Sequence, residues 1–224
     1  MDEYLHIVRS EIERMAALVR DIRELYRPSS LSVQAVDAGI ILQQVLALAS
    51  KQLVADEIVV ESRLDPLLPR LMVNPDHLKQ IFLNLILNAI EAMPGGGTLH
   101  IMAETPPPIP GRKDGLDPQA FQPAGDGRPI QRPTMLSIQF TDSGHGISPE
   151  NMEHIFEPFY TTKETGSGLG LYICYTIVES YGGSLSAASP ATTNPTSIAT
   201  TAANNKPGPG STITVTLPVF QEGI

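Results

Sequence analysis

The hydrophobic and polar positions of the chain change their period at about residue 28. Before that point, apolar residues recur at alternating steps of three and four with charged residues between them: Leu5, Val8, Ile12, Met15, Val19, Ile22 and Tyr26. This spacing is typical of a heptad stripe on one long, coiled-coil-like helix, which Pro28 ends. We expect residues 1–27 to pair with another helix or to form a homodimer, because a lone helix cannot bury such a stripe; packing on its own domain is the alternative.

Helical periods return at four places after this arm. They predict helices over about residues 38–52, 75–93, 148–156 and 169–182. The second start is the clearest, since Asn74 suits the N-cap and Pro75 suits the first helical position. Asp37 can cap the first of the four helices.

Strand-like runs separate these helices. They predict strands over about residues 58–64, 98–103, 135–141, from 184 onwards and over 211–217. Interleaved helices and strands with an antiparallel pair at the C-terminus predict a two-layer α/β sandwich, in which helices cover one face of a mixed sheet. Stretches at about 104–134 and 189–210, rich in Pro, Gly and small polar residues, are predicted to be loop insertions.

Composition narrows the classes of ligand. The formal net charge is −9, and no dense Lys/Arg patch is present, which argues against a nucleic-acid surface. A polyanionic ligand must therefore be held locally, by backbone amides, a metal or single cations. The single cysteine, Cys174, cannot form an internal disulfide and falls in an apolar helix, so we interpret it as a core residue.

The sequence contains no signal peptide and no run of about 18 apolar residues. We therefore expect a cytoplasmic location and no membrane segment in this chain. Any attachment to a membrane would come from another part of the protein.

Candidate chemistry begins at two glycine clusters. A predicted strand delivers Asp142 to a turn with Gly144 and Gly146, where a carboxylate can accept from a donor-bearing ligand and the glycines allow close approach. The second cluster, residues 166–170, precedes a helix whose free amides attract phosphate. The alternative for either cluster alone is an ordinary strand-to-helix turn.

A polar stripe follows the otherwise apolar helix predicted over 75–93. Its members recur at steps of four, four, four and three: Asp76, Gln80, Asn84, Asn88 and Glu91. Asparagine amides on so apolar a helix are costly unless they have partners. A bound ion or phosphate is one such partner, and a buried side-chain network is the other.

Four motifs in this order resemble those of bacterial sensor histidine kinase catalytic cores of the nitrogen-regulatory type, within the Bergerat-fold ATP-binding proteins. They resemble the asparagine box, the first glycine box, the phenylalanine box and the second glycine box, at residues 84–89, 142–146, 156–159 and 166–170. By this resemblance, residues 31–220 form the ATP-binding catalytic domain. Residues 1–28 resemble the second arm of the dimerisation hairpin.

The resemblance implies ATP and Mg²⁺ as cofactors. Asp142 would accept from the exocyclic amine of adenine, Asn88 would hold Mg²⁺ with possible help from Asn84, and Lys163 would be a cation near the phosphates. With Asn84 and Asn88, Lys163 makes up the implied catalytic set. Other implied nucleotide contacts are Gly144, Gly146, Ile147, Phe159, Thr162, Gly166, Ser167, Gly168, Leu169 and Gly170.

Asn84 distinguishes between branches of this family. In the ATP-hydrolysing relatives a glutamate at this position activates water, and an asparagine cannot act as a general base. The resemblance therefore implies an enzyme that transfers the γ-phosphate to a protein histidine. None of the five histidines matches the acceptor pattern, so we expect the acceptor on a hairpin not contained in this chain, and autophosphorylation of this chain alone is not expected.

The implied partners are ATP, a response regulator and the phosphoacceptor hairpin of a partner kinase chain. Two other functions remain open. One is a non-catalytic module that binds ATP and dimerises. The other is a serine kinase of the anti-sigma type, which the heptad arm disfavours.

Overall fold

The computed structural model describes residues 33–105, 134–163, 166–191 and 208–219. The predicted heptad arm and the interiors of both predicted insertions lie outside these ranges. The elements in chain order are β1 Gln34–Val36, α1 Ala38–Ala55, β2 Ile58–Leu64, β3 Leu71–Val73, α2 Pro75–Ala92, β4 Gly97–Glu104, β5 Met135–Asp142, α3 Pro149–Met152, α4 Gly170–Ser180, β6 Ser184–Ala188 and β7 Ser211–Pro218.

Five strands form one mixed sheet in the order β2-β4-β5-β7-β6. The β2–β4 pair is parallel, and the other three neighbouring pairs are antiparallel. Helix α1 packs on β2, α2 on β5, and α4 on β6 and β7. The predicted α/β sandwich with a mixed sheet is confirmed.

The core lies between these helices and the sheet. Phe82 of α2 is fully buried, and its ring centroid lies 5.6 Å from that of Phe140 on β5. Cys174 of α4 is also fully buried, which confirms its interpretation as a core residue. Burial raises the pKa of its thiol to about 12, so the thiol stays protonated at neutral pH.

The caps predicted from sequence position α1 and α2. The Asn74 carboxamide oxygen accepts from the backbone N–H of Asp76 at 2.9 Å, with Pro75 in the first turn. The Asp37 carboxylate accepts from the N–H groups of Gly39 and Ile40 at 2.8 and 3.2 Å. These side chains satisfy amides that have no partner inside the helix, and so they fix where each helix begins.

Two parts of the structure differ from the sequence predictions. The short helix expected up to Phe156 ends at Met152. The chain then continues in turns, one of which is closed by a hydrogen bond from the Glu157 N–H to the His154 carbonyl at 2.8 Å. A separate two-stranded antiparallel sheet, β1 with β3, was not predicted. Each of its strands has three residues, which is too short to show a period.

By length and composition alone, α1 is apolar enough to cross a membrane. The same composition suits a helix that packs inside a domain, and here Leu42, Val45 and Ala49 are buried along one side. The other side exposes Ile40 and Leu48 to solvent.

Candidate functional site

Three of the four motifs identified in the sequence lie at the C-terminal half of α2. The Asn84 amide group donates to the Gly170 carbonyl at 3.2 Å, and the Lys163 ammonium donates to the Asn88 amide oxygen at 3.3 Å. The His145 N–H donates to the carbonyl of Ala92, at the end of the same helix, at 3.2 Å. The asparagine motif is therefore in direct contact with the second glycine motif and with Lys163, whereas the first glycine motif contacts the last residue of α2.

Asp142 forms the closed end of this site. The residue is 6% exposed, and its carboxylate accepts from the Gly144 N–H at 2.9 Å and from the Ser211 hydroxyl at 2.5 Å. A carboxylate can accept more hydrogen bonds than these two, so capacity remains for a ligand donor. Ser211 was not predicted as a site residue, because one serine at the start of a strand carries no periodic signal.

The turn after Asp142 lies tightly against α2. A Cβ atom at Gly144 would sit 2.3 Å from the carbonyl oxygen of Ala92, so a side chain cannot be accommodated there. Gly146 has φ +75°, a conformation that side chains other than glycine rarely adopt. Ile147 ends the turn and packs partly on the core. The two predicted glycines are thus required by close approach and by backbone conformation.

The polar stripe of α2 does not form one continuous network. Asp76 pairs with Lys79 at the exposed N-terminal end, whereas Asn84 and Asn88 contact Gly170 and Lys163 at the other end. Among the residues that the structure describes, no buried side-chain nitrogen or oxygen lacks a hydrogen-bond partner. The two asparagines therefore have protein partners, and both partners lie within residues 163–170, in or just before the second glycine motif.

Lys163 is held by α2. Its ammonium forms an ion pair with the Glu91 carboxylate as well as the hydrogen bond to Asn88. The side chains of the ion pair are partly exposed, Lys163 by 36% and Glu91 by 50%. Glu91 is thus half-exposed at the surface of α2, and it has a definite partner.

The segment before Lys163 is open to solvent. Thr162 is exposed, and the Phe159 side chain is 63% exposed with a backbone φ of +66°. Gly168 packs on this unusual backbone, since a Cβ atom there would lie 2.4 Å from the Phe159 carbonyl carbon. The phenylalanine motif and the second glycine motif are therefore in contact, with residues 164 and 165 outside the described ranges.

The second glycine motif leads into the N-terminus of α4. A Cβ atom at Gly166 would be 2.5 Å from the Thr161 hydroxyl, and the Ser167 hydroxyl accepts from the Leu169 N–H at 3.3 Å. Leu169 is fully buried and occupies the N-cap position, where its hydrocarbon side chain cannot accept a hydrogen bond. The first amides of α4, beginning at Gly170, are therefore suited to an anionic ligand.

The donor set fits Mg²⁺ only together with a ligand that brings phosphate. Among the described residues, no group of three or more His, Cys, Asp or Glu side chains could hold a metal ion. The Asn88 amide oxygen already accepts a hydrogen bond from a cation, the Lys163 ammonium. This oxygen therefore faces a position that is suited to positive charge. Mg²⁺ is commonly bound by one or two protein oxygens together with substrate phosphates.

Comparison with known proteins identifies the type of domain. Residues 73–221 match the family model described as "Histidine kinase-, DNA gyrase B-, and HSP90-like ATPase". The sensor histidine kinase ZraS of Escherichia coli strain K12 is 32% identical over 213 residues, which cover 95% of this chain and 37% of ZraS. Sporulation kinase C of Bacillus subtilis strain 168 is 30% identical over 185 residues, which cover 82% of this chain and 37% of that protein.

Solved structures share the fold. Full-length ShkA in complex with AMPPNP superposes with a TM-score of 0.65 at 22% identity, over 100% of this chain and 40% of ShkA. Histidine kinase ThkA in complex with the response regulator TrrA superposes with a TM-score of 0.64 at 22% identity, over 97% of this chain and 51% of ThkA. The likeness to these two structures concerns the arrangement of helices and strands.

Proposed function

The chain belongs to the family of histidine kinase-, DNA gyrase B- and HSP90-like ATPases, and from this membership we propose that it is the catalytic core of a two-component sensor histidine kinase. In this proposal it transfers the γ-phosphate of Mg-ATP to a histidine on a dimerisation hairpin. The chain spans 37% of the length of the sensor kinase ZraS. The hairpin acceptor and the sensing part would therefore lie in polypeptide outside this chain.

The observation that carries this proposal is that three of the motifs meet at α2 and the fourth, the phenylalanine motif, contacts the second glycine motif. A buried carboxylate, Asp142, closes one end, and the uncapped N-terminus of α4 with the partly exposed Lys163 forms the other. A molecule with a donor-bearing aromatic base and a phosphate chain matches this order of groups. One of the similar structures is of full-length ShkA in complex with AMPPNP.

We assign the roles within the site from the family resemblance. Asp142 accepts from the adenine amine, and Gly144, Gly146 and Ile147 form the wall beside the base. Asn88 supplies an oxygen to Mg²⁺, with Asn84 close to the same phosphates. Mg²⁺ held by the Asn88 oxygen would neutralise negative charge that develops on the phosphates during transfer. The remaining predicted contacts cover the phosphates: Phe159, Thr162, Gly166, Ser167, Gly168, Leu169 and Gly170.

Lys163 must exchange partners for this assignment to operate. In the structure its ammonium is paired with Glu91 and Asn88, so it faces the helix that would hold the metal. A divalent cation would compete with Lys163 for the Asn88 oxygen, and a phosphate chain would compete with Asn88 and Glu91 for the Lys163 ammonium. Lys163 then becomes available to a phosphate oxygen, where it stabilises negative charge.

Phosphotransfer to a protein is favoured over hydrolysis by the identity and the contact of Asn84. An amide cannot take a proton from water at neutral pH, and here its NH₂ group donates to the Gly170 carbonyl. Asn84 therefore links α2 to the start of α4 and leaves the site without a base at this position. Catalysis then depends on positioning and charge stabilisation, which suffice for phosphoryl transfer to a placed acceptor.

The wider assignment includes a cytoplasmic location, a response regulator partner and a homodimer through residues 1–27. The structure of ThkA with its response regulator supports the second of these by likeness of fold. The heptad stripe supports the third, and the nitrogen-regulatory subtype remains part of the proposal.

The test is transfer to an acceptor supplied separately. The chain is mixed with a dimerisation hairpin that carries an acceptor histidine, Mg²⁺ and γ-labelled ATP, and the expected result is label on the hairpin. A hairpin with that histidine replaced by glutamine and a chain with Asp142→Ala serve as matched controls. Label that is lost in acid and stable in alkali identifies phosphohistidine.

The other outcomes are equally informative. ATP binding without transfer to the intact hairpin would contradict the kinase proposal and favour a regulatory module that binds ATP. Label that survives acid would identify a serine kinase instead.

A further inference from the structure

The turn of the first glycine motif is joined to the connection between β6 and β7. The Gly208 N–H donates to the Ser143 carbonyl at 3.1 Å, and the Gly210 N–H donates to the Gly144 carbonyl at 3.0 Å. On the same connection, the Ala191 N–H donates to the Pro209 carbonyl at 2.9 Å. The two described ends of the connection are therefore held together directly beside Asp142.

Ser189 bridges the turn and this connection through one hydroxyl group. Its oxygen accepts from the Ile147 N–H at 2.9 Å and donates its own proton to the Gly210 carbonyl at 2.9 Å. Because a hydroxyl has one proton, donation to Gly210 leaves its lone pairs for Ile147. A hydroxyl can make both bonds, whereas a methyl group can make neither.

The glycine turn lies close against this hydroxyl. A Cβ atom at Gly146 would lie 2.8 Å from the Ser189 hydroxyl and 3.0 Å from the Gly210 carbonyl oxygen. The turn, the serine and Gly210 are thus in mutual contact. Removal of the hydroxyl leaves the Ile147 N–H and the Gly210 carbonyl without this partner, which costs more than the bond itself contributes.

Both segments that Ser189 joins also hold Asp142. Gly144, in the turn, donates its N–H to one carboxylate oxygen, and Ser211, which follows Gly210, donates its hydroxyl to the other. Ser189 does not touch the carboxylate. Its two bonds fix the turn and β7 relative to each other, and the orientation of the carboxylate depends on both.

We propose that Ser189 is a positioning residue for base recognition, which holds the Asp142 carboxylate in the orientation that selects an exocyclic amine. This inference rests on the proposed role of Asp142 as the acceptor for adenine. Selectivity for the amine, more than affinity for the phosphates, depends on Ser189.

The test compares Kd values of ATP and purine riboside triphosphate, which lacks the exocyclic amine. We expect the unaltered chain to prefer ATP by about tenfold or more. Ser189→Ala should reduce this ratio by about threefold or more, and Ser186→Ala, at an exposed serine on β6, should leave it unchanged. Both nucleotides report on the same folded population, so the ratio does not change if part of the protein is merely unfolded.

The outcomes separate this inference from the proposed function. Equal affinities of the unaltered chain for the two nucleotides would contradict the role of Asp142 itself. Normal preference in the unaltered chain with the same preference in Ser189→Ala would overturn the role of Ser189 alone.

If Ser189→Ala does not fold, two further measurements test the inference. Ser189→Thr retains the hydroxyl and should retain the preference for ATP. In the unaltered chain the Ile147 amide should be protected from hydrogen exchange. An Ile147 amide that exchanges as fast as a free amide would overturn the inference.

Discussion

The two ends of the candidate site are built differently. At the base end, Asp142 is 6% exposed and takes hydrogen bonds from Gly144 and Ser211. At the phosphate end, Lys163 is 36% exposed, and the aromatic side chain of Phe159 is 63% exposed. The first end is fixed by the fold, whereas the second consists of polar groups on the surface that pair with one another.

Under the proposed function, this difference gives the two ends separate tasks. A buried carboxylate with fixed partners needs no rearrangement to accept a donor, so it would provide specificity. An exposed ion pair contributes little to stability, because water and salt screen it, and it can be exchanged for a ligand at low cost. Binding should therefore be selective at the base end and adjustable at the phosphate end.

The largest effect is expected at Asp142. Asp142→Ala removes the acceptor for the base and leaves the Gly144 N–H and the Ser211 hydroxyl without their partner. We expect affinity for Mg-ATP to fall by about 100-fold, the value of a buried hydrogen bond to a charged group. Isothermal titration calorimetry measures the affinity, and circular dichroism verifies that the fold is intact.

Asp142→Asn is the matched variant, because it keeps the shape of the side chain and removes its charge. Its amide can still accept from Gly144 through one atom, but it has lost an acceptor for the base. An affinity within about threefold of the unaltered chain for both variants would contradict the fixed role of the base end.

The next effect is expected at Asn88, where the phosphate end meets α2. Asn88→Asp adds a negative charge beside the proposed position of the phosphates, and the new carboxylate pairs more strongly with Lys163. Affinity for Mg-ATP should therefore fall by about 30-fold or more. Titration with ATP in the presence and absence of EDTA tests whether the loss of affinity comes from the loss of the metal. The unaltered chain should bind ATP more weakly in EDTA, and a variant that keeps this magnesium dependence would show that Asn88 does not hold the metal.

Much of the fold could be predicted because its signals are local. The N-cap at Asn74 and the period of α2 lie within one stretch of sequence, as does the alternation of Ile213, Val215 and Leu217 in β7. The β1–β3 pair could not be predicted, because each strand has three residues and the pairing depends on tertiary context.

The motifs of the candidate site could be predicted from the sequence, but the hydrogen bonds and the ion pair that connect them could not. Glycine spacing identified the turn after Asp142, but the contacts of Ser189 and Ser211 bridge 42 and 69 positions in sequence. A single serine in a strand or a loop has no period to reveal such a partner. The pairing of Lys163 with Glu91 was hidden in the same way, because it joins two elements separated by 72 positions.

A smaller effect in the opposite direction is expected at Glu91. Glu91→Gln removes the ion pair with Lys163 and one negative charge near the phosphates. Affinity for Mg-ATP should rise by about two- to threefold at low salt, and the gain should shrink as salt increases. Glu104→Gln, at an exposed glutamate on β4, is the charge-matched control. A loss of affinity in Glu91→Gln alone would show that the ion pair prepares the site instead of competing with ATP.

The smallest effect is expected at His154, in the exposed segment that leads to Phe159. The hydrogen bond from the imidazole to Glu157, together with the charge of that carboxylate, raises the pKa of His154 above its ordinary value of 6.5. A raised folded-state pKa stabilises the protein below the unfolded value, and this contribution disappears as pH rises through the folded-state pKa. His154→Gln should therefore lower the urea midpoint slightly at about pH 5.5 and leave it unchanged at about pH 8.

Glu157→Gln removes the other partner of the same pair and should show the same pH dependence. Neither variant should alter the preference for ATP over purine riboside triphosphate, because we propose that Asp142 sets that preference, beyond the reach of a screened surface pair. A larger destabilisation at about pH 8 than at about pH 5.5 would show that the imidazole acts through packing on Tyr160, whose ring centroid lies 5.4 Å away. A change in base preference would instead mean that the exposed segment and the buried end of the site are coupled, and the division between a fixed end and an adjustable end would no longer hold.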